Sequence, residues 1–279
     1  MPMIASRGAR LHVEEIGGGH PIVFVHELAA DHREWEYQVR YFSRSYRCVA
    51  FAARGYPPSD VPEDPGHYGY EDAADDIAAV MRGLGIGRAN VVGLSMGAYA
   101  TLQFAMRHPD MASAIVVAGV GSGSPPAIHE GWKAQCADMA RRYVELGADA
   151  MAEEIGHGPT RIQLLRKNPR AWQEFMAHLR EHSVEGMSRT IARYQGQRPS
   201  IESFGERLAA LRVPTLLVVG DEDEPCLETT LFLKRVIPGA GLWMAPRTGH
   251  AVNLEEPDAF NAVVDGFFSQ VERGSWRLP

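Results

Sequence analysis

Short apolar runs alternate with amphipathic stretches along the first third of the chain. Arg10 to Glu15 alternates polar and apolar side chains, the period of a half-exposed strand in an antiparallel pair. Pro21 to His26 and Arg47 to Ala52 are continuous apolar runs of strand length, as expected of strands covered on both faces. Between them Asp31 to Phe42 suits a helix, with Asp31 placed to cap its first turn. Glu71 to Leu84 carries Ala74, Ile77, Ala78 and Met81 at i, i+3, i+4 and i+7, the spacing of one helical face, and Gly85-Ile-Gly ends it. A strand over 89–93, a helix over 98–107 and a strand from Ala112 to Ala118 follow. This alternation predicts an α/β fold whose sheet is mostly parallel, with helices on both faces.

The rhythm stops at the loop Gly121-Ser-Gly-Ser-Pro-Pro126. The next eighty residues or so read as helix without a strand, and they carry Trp132, Met139, Tyr143, Met151, Ile155, Trp172, Phe175, Met176, Met187 and Tyr194. It resumes at Val213 to Val219 and continues through a helix at Leu227 to Val236, a strand at Gly241 to Ala245 and a helix at Pro257 to Gln270. The expected organisation is a core of residues 1–121 and 206–279 with a helical insertion over 122–205, covering one end of the sheet.

Composition narrows the function more than the fold. The 279 residues include 28 basic and 35 acidic side chains, a net charge of −7, with no basic run. Nucleic acid is therefore not an expected partner. Three widely separated cysteines, Cys48, Cys136 and Cys226, form no metal-binding spacing and fit reduced thiols. The first residues lack the apolar core of a signal peptide and the apolar runs are too short to span a bilayer, so a cytoplasmic location is expected. Nothing in the pattern specifies an oligomeric state.

Candidate chemistry lies at strand ends. Gly93-Leu-Ser95-Met-Gly97 follows the apolar run of 89–92 and precedes a helix-forming stretch. The five-residue pattern arises by chance in about one chain in ten of this length, so its context carries the argument. A serine on a sharp strand-to-helix turn presents its hydroxyl at the top of a sheet. It needs a base, a group to orient that base, and donors for the oxyanion. Val218-Val-Gly-Asp-Glu-Asp-Glu-Pro225 offers four acids after a strand, Asp221, Glu222, Asp223 and Glu224, and each competes with a role as a solvated turn or helix cap. His250, in Arg247-Thr-Gly-His-Ala, follows the next strand. Open parallel sheets gather their catalytic groups at these carboxyl ends.

These motifs, with Val25-His26 after the first parallel strand and Arg54-Gly-Tyr-Pro-Pro-Ser59, resemble the α/β-hydrolase fold family in its branch with a helical cap. The resemblance spans essentially the whole chain. It implies an eight-stranded, mostly parallel sheet, with Ser95 as nucleophile, His250 as base and Asp223, three residues after Gly220, as the acid. It further implies an oxyanion hole from the backbone amides of Leu28 and Met96. No metal or organic cofactor is implied. The expected activity is hydrolysis of a small, largely apolar ester, thioester or lactone through an acyl-enzyme. Carbon–carbon bond hydrolysis, cofactor-free haloperoxidase or perhydrolase chemistry, and a non-catalytic receptor role are the alternatives. Carboxylate-binding cations in the cap, Arg141, Arg142, Arg161 or Arg189, would favour the carbon–carbon reading. Ser95 argues against the branches that use an aspartate nucleophile.

The sequence departs from the family at His26-Glu27-Leu28, where His-Gly is usual. Glu27 is expected either to turn away and pair with Arg33, His32 or Arg54, or to act in a dry pocket as an acid that passes a proton to substrate. Ala52 and Pro57 also depart from the family pattern, at a structural turn. His26, His32 and His67 are assigned to loop stabilisation and Cys226 to packing.

Overall fold

The computed structural model describes residues 2–278. Eight strands form one sheet: β1 (Met3–Ser6), β2 (Ala9–Gly17), β3 (Pro21–Val25), β4 (Arg47–Phe51), β5 (Ala89–Leu94), β6 (Ala112–Ala118), β7 (Thr215–Gly220) and β8 (Gly241–Ala245). Their order is β1-β2-β4-β3-β5-β6-β7-β8, antiparallel at β1–β2 and β2–β4 and parallel from β4 to β8. The strands expected from the apolar runs lie where the pattern puts them, within a residue or two at the ends. β1 is an addition. It is four residues long and largely exposed, so its burial pattern carries little apolar signal.

The continuous apolar runs are explained by the two covered faces. Val23, Val25, Val91, Ile115 and Val117 point into one core with Ile77, Met81, Leu102 and Phe104 from α2 (Tyr70–Gly83) and α3 (Met96–Arg107). Ile22, Phe24, Val92, Ala114 and Val116 point into the other. There they meet Trp35, Phe42, Phe260, Val264 and Phe268 from the segment of α1 (Glu36–Phe42) and from the C-terminal helix. Asp31 caps as expected, its side chain accepting from the amide of Arg33, but it opens a 3-10 turn (His32–Trp35) before α1.

Between β6 and β7 the chain is helical: α4 (Pro126–Gly156), α5 (Ile162–Lys167), α6 (Pro169–Arg180), α7 (Val184–Arg189), a π-helical turn (Thr190–Gln195) and α8 (Gly205–Ala209). Gly147, at φ 80° and ψ 172°, breaks α4 into two pieces. After β7 come α9 (Glu224–Val236), the single turn α10 (Val252–Glu255) and α11 (Pro257–Glu272). The helical segment lies over the carboxyl ends of the parallel strands. A small apolar cluster joins the two parts: Leu164, Phe175, Met176 and Leu179 pack with Ala29 and Ala30 after β3 and with Leu254 in α10. Much of the segment's aromatic and methionine content is spent on such packing, for Tyr143, Met151, Met176 and Met187 are fully buried. No helix among the described residues is long and apolar enough to cross a membrane.

Candidate active site

Ser95 sits between the end of β5 and the first residue of α3, at φ 53° and ψ −110°. A non-glycine residue there is strained, at a cost of about 1–3 kcal/mol, and persists only where its surroundings dictate it. They do. The Ser95 amide donates to the carbonyl of Ala118 (2.8 Å), and the Ser95 carbonyl accepts from the amide of Tyr99 (3.0 Å). The flanking glycines are required by close approach: a Cβ on Gly93 would lie 2.3 Å from the Gly97 carbonyl oxygen, and one on Gly97 would lie 2.1 Å from that of Val25. Leu94 and Met96 are buried while Ser95 is partly exposed, so the turn presents its hydroxyl away from the core.

The four competing acids separate by burial and partner. Asp221 is exposed and accepts from the Thr248 amide (3.1 Å), and Glu222 is exposed and meets Gln163. Glu224 is exposed on the first turn of α9. Asp223 is buried, and His250 Nδ1 donates to its Oδ2 at 2.8 Å. Burial by itself would lower the His250 pKa. The charge and hydrogen bond of Asp223 more than offset this and hold it well above the ordinary 6.5. Asp223 is correspondingly held below its usual range despite burial. The loop carrying His250 is tied at both flanks by one carboxylate, since the amides of Gly249 (2.6 Å) and Ala251 (3.2 Å) donate to Glu255. Cys226 is packed against this pair, its thiol 3.3 Å from the Gly119 carbonyl and its pKa raised, first by burial.

The two amides expected to bind an oxyanion are positioned through their own carbonyls. Tyr194 Oη donates to the Met96 carbonyl (2.7 Å) and Tyr56 Oη to that of Leu28 (2.8 Å). Met96 opens α3, so its amide has no acceptor within the helix. A cavity of about 30 Å³ lies behind Met96, lined by Tyr56, Tyr68, Ala100, Thr190 and Tyr194.

Glu27 does not pair with the expected partners. Arg33 is bonded to Asp31 and Glu181, Arg54 to Asp76, and His32 lies against Glu14 and Asp31. Glu27 instead turns inward and forms an ion pair through Oε1 with Arg161 of the helical segment. Both side chains are 2 % exposed, and Glu27 Oε2 stands 3.8 Å from His250 Nε2. The pairing was illegible locally because Arg161 is 134 residues away. The Glu27 amide donates to Glu34 Oε1 (2.9 Å), and burial followed by the Glu27 charge pushes the Glu34 pKa well up. His26 has the loop role expected of it. Nδ1 donates to the Glu27 carbonyl (2.7 Å) and Nε2 accepts from the Ala53 amide (2.9 Å), and burial takes its pKa down to about 4.

The family model for the alpha/beta hydrolase fold matches residues 20–257. The chain belongs to this family. It is 29 % identical to the AB hydrolase superfamily protein YisY of Bacillus subtilis, over 92 % of this chain and 94 % of that one. It is 25 % identical to 3-oxoadipate enol-lactonase 1 of Acinetobacter baylyi, over 97 % of each. Among solved structures, a thermophilic esterase from Thermogutta terrifontis superimposes with a TM-score of 0.84 at 25 % identity, covering 96 % of this chain and 97 % of that one. Membership and these relatives support a hydrolase.

Among the described residues of this alpha/beta hydrolase fold chain, two groups of side chains converge closely enough to meet one ion. Asp223, Cys226 and His250 form one, but the direct His250–Asp223 bond occupies it. His12 and Glu14 on β2 with His32 form the other, and they link β2 to the segment that carries Glu27 and Leu28. Glu34 and Glu255 went unnoticed in the sequence. Glu34 accepts one and Glu255 two backbone amides of a loop of the candidate site, a role for which acidic residues beside helical turns carry no distinguishing signal.

Proposed function

We propose that this chain is a serine-dependent hydrolase of a small ester, thioester or lactone, working through an acyl-enzyme. The observation that carries the reading is the strained Ser95 turn at the sheet end where the bonded His250–Asp223 pair is buried. In this reading His250 Nε2 takes the Ser95 proton as Oγ attacks the acyl carbon. The amides of Leu28 and Met96 hold the oxyanion. Asp223 orients the ring through Nδ1 and stabilises the imidazolium. The protonated His250 gives its proton to the leaving group, and water then releases the acyl group. Residues 122–205 act as a cap that excludes bulk water, and the apolar and aromatic side chains around Met96, among them Phe51, Tyr56 and Tyr194, favour a largely apolar substrate. The acidic net charge favours a small molecule over nucleic acid as the partner.

The carbon–carbon reading has less support. Arg141 and Arg142 are engaged with acids on the surface of the helical segment, Arg189 donates to the Pro62 carbonyl, and Arg161 is held by Glu27. A fluorophosphonate probe tests the serine reading. Labelling is expected for the wild type and should disappear in Ser95→Ala and His250→Ala. Turnover of short-chain aryl esters should fall by about 10⁴-fold or more in either variant. A folded wild type that never labels would sink the proposal and leave a receptor role in the same pocket.

A further inference from the structure

Resting on that reading, we infer that Glu27 is a second catalytic carboxylate, one that holds the water which resolves the acyl-enzyme. Three observations converge on it. Glu27 Oε2 and His250 Nε2 are the facing polar atoms of two buried side chains, 3.8 Å apart. That is too long for a direct hydrogen bond, while a water about 2.8 Å from each would subtend roughly a right angle and could bond to both. The other oxygen, Oε1, is anchored by Arg161. The Glu27 amide is anchored by Glu34, which fixes the backbone from which the side chain projects, so the carboxylate can swing away only by breaking its buried contact with Arg161.

The charge arrangement fits the same role. A carboxylate beside the Leu28 amide would by itself oppose an oxyanion there. Arg161 supplies the compensating positive charge at the one oxygen that does not face His250. Its guanidinium also stacks over the ring of Phe175, 5.0 Å from the centroid, which fixes it on the cap side of the site. Glu27 is thus a polar group kept in place by both the core and the helical segment, with one oxygen left over.

Deacylation would proceed with Glu27 gaining no proton. The water oxygen bonds to the acyl carbon while His250 Nε2 takes one of its protons and Glu27 Oε2 accepts a hydrogen bond from the other O–H. The tetrahedral intermediate collapses with cleavage of the bond from the acyl carbon to Ser95 Oγ. The proton on Nε2 passes to Oγ, and the carboxylic acid departs with the remaining water hydrogen. In the acylation half the leaving group stands on that side of His250, so Glu27 has no water to hold and little effect on the rate.

Stopped-flow kinetics with 4-nitrophenyl acetate separate the two halves. Glu27→Gln keeps the volume and an acceptor for Arg161. It is expected to release one equivalent of nitrophenol per Ser95 in a burst, at a rate within about threefold of wild type. The steady rate afterwards should fall about 10²-fold, as for loss of an acid–base or water-orienting group. Hydroxylamine, which needs no such orientation, should restore release of the acyl group. Glu27→Asp keeps the charge against Arg161 but withdraws it from Nε2, and should show the same split if Glu27→Gln folds poorly. Equal losses in the burst and steady rates, or a variant that deacylates at the wild-type rate, would overturn the inference while leaving the serine mechanism intact. A wild type that forms no acyl-enzyme at all would overturn the serine reading, and the inference with it.

Discussion

Two turns leave neighbouring strands of the sheet side by side, and they obey different kinds of rule. The turn after β5 carries Ser95 and is dictated by nearby sequence. A strand, two glycines with backbone pressed against them and a helix start leave one conformation open to it. The turn after β3 carries Glu27 and Leu28, and nothing adjacent to it dictates where the Glu27 side chain goes. That is decided by Arg161 from the helical segment, which takes Oε1 and leaves Oε2 toward His250, while Glu34 holds only the backbone amide. The contrast separates a site element that folds locally from one that exists only once the helical segment has docked.

The largest expected effect concerns the machinery both turns serve. Asp223→Asn should lower kcat/KM by about 10³–10⁴-fold, as loss of an imidazole-orienting carboxylate does elsewhere. It should also move the acidic limb of the pH profile. In the wild type His250 is held well above 6.5, so activity should rise with pH through a midpoint above that value. Without the Asp223 charge, burial dominates and the midpoint should drop below it. A limb that stays in place would show that His250 is not the base.

Arg161→Met attacks the docked turn. It leaves Glu27 buried without its cation, and about 3–5 kcal/mol of stability should be lost in denaturant unfolding. The double variant Arg161→Met/Glu27→Gln should recover most of it. Failure to recover would mean that Arg161 acts chiefly through its packing on Phe175. Gly97→Ala attacks the local turn, forcing a Cβ onto the Val25 carbonyl, and about 1–3 kcal/mol is expected to be lost together with Ser95 labelling. Unimpaired labelling would show that the elbow adapts more freely than its geometry implies. The smallest effect is the control. Arg142→Ala breaks an exposed ion pair with Glu154 on the helical segment and should leave both the melting temperature and kcat unchanged.

What was legible in the sequence follows the same division. The parallel strands and the Ser95 turn were readable because continuous apolar runs and close-packed glycines report on backbone environment directly. Asp223 stood out from its acidic neighbours only through the family spacing, and the structure separates it from Asp221 and Glu222 by burial. β1 was missed because a short exposed edge strand has almost no apolar period. Glu34 and Glu255 were missed because a carboxylate that binds loop amides looks, in sequence, like any surface acid.

By itself the chain's pattern determined the layered α/β architecture, the helical break after β6 and the order serine, acid, histidine, since periodicity and close backbone approach are properties of adjacent residues. Only the tertiary structure decided that Glu27 faces His250 and pairs with Arg161 in place of Arg33, His32 or Arg54. A buried charge goes to whichever opposite charge the fold brings within reach, and here that charge arrives from a helical segment more than a hundred residues away.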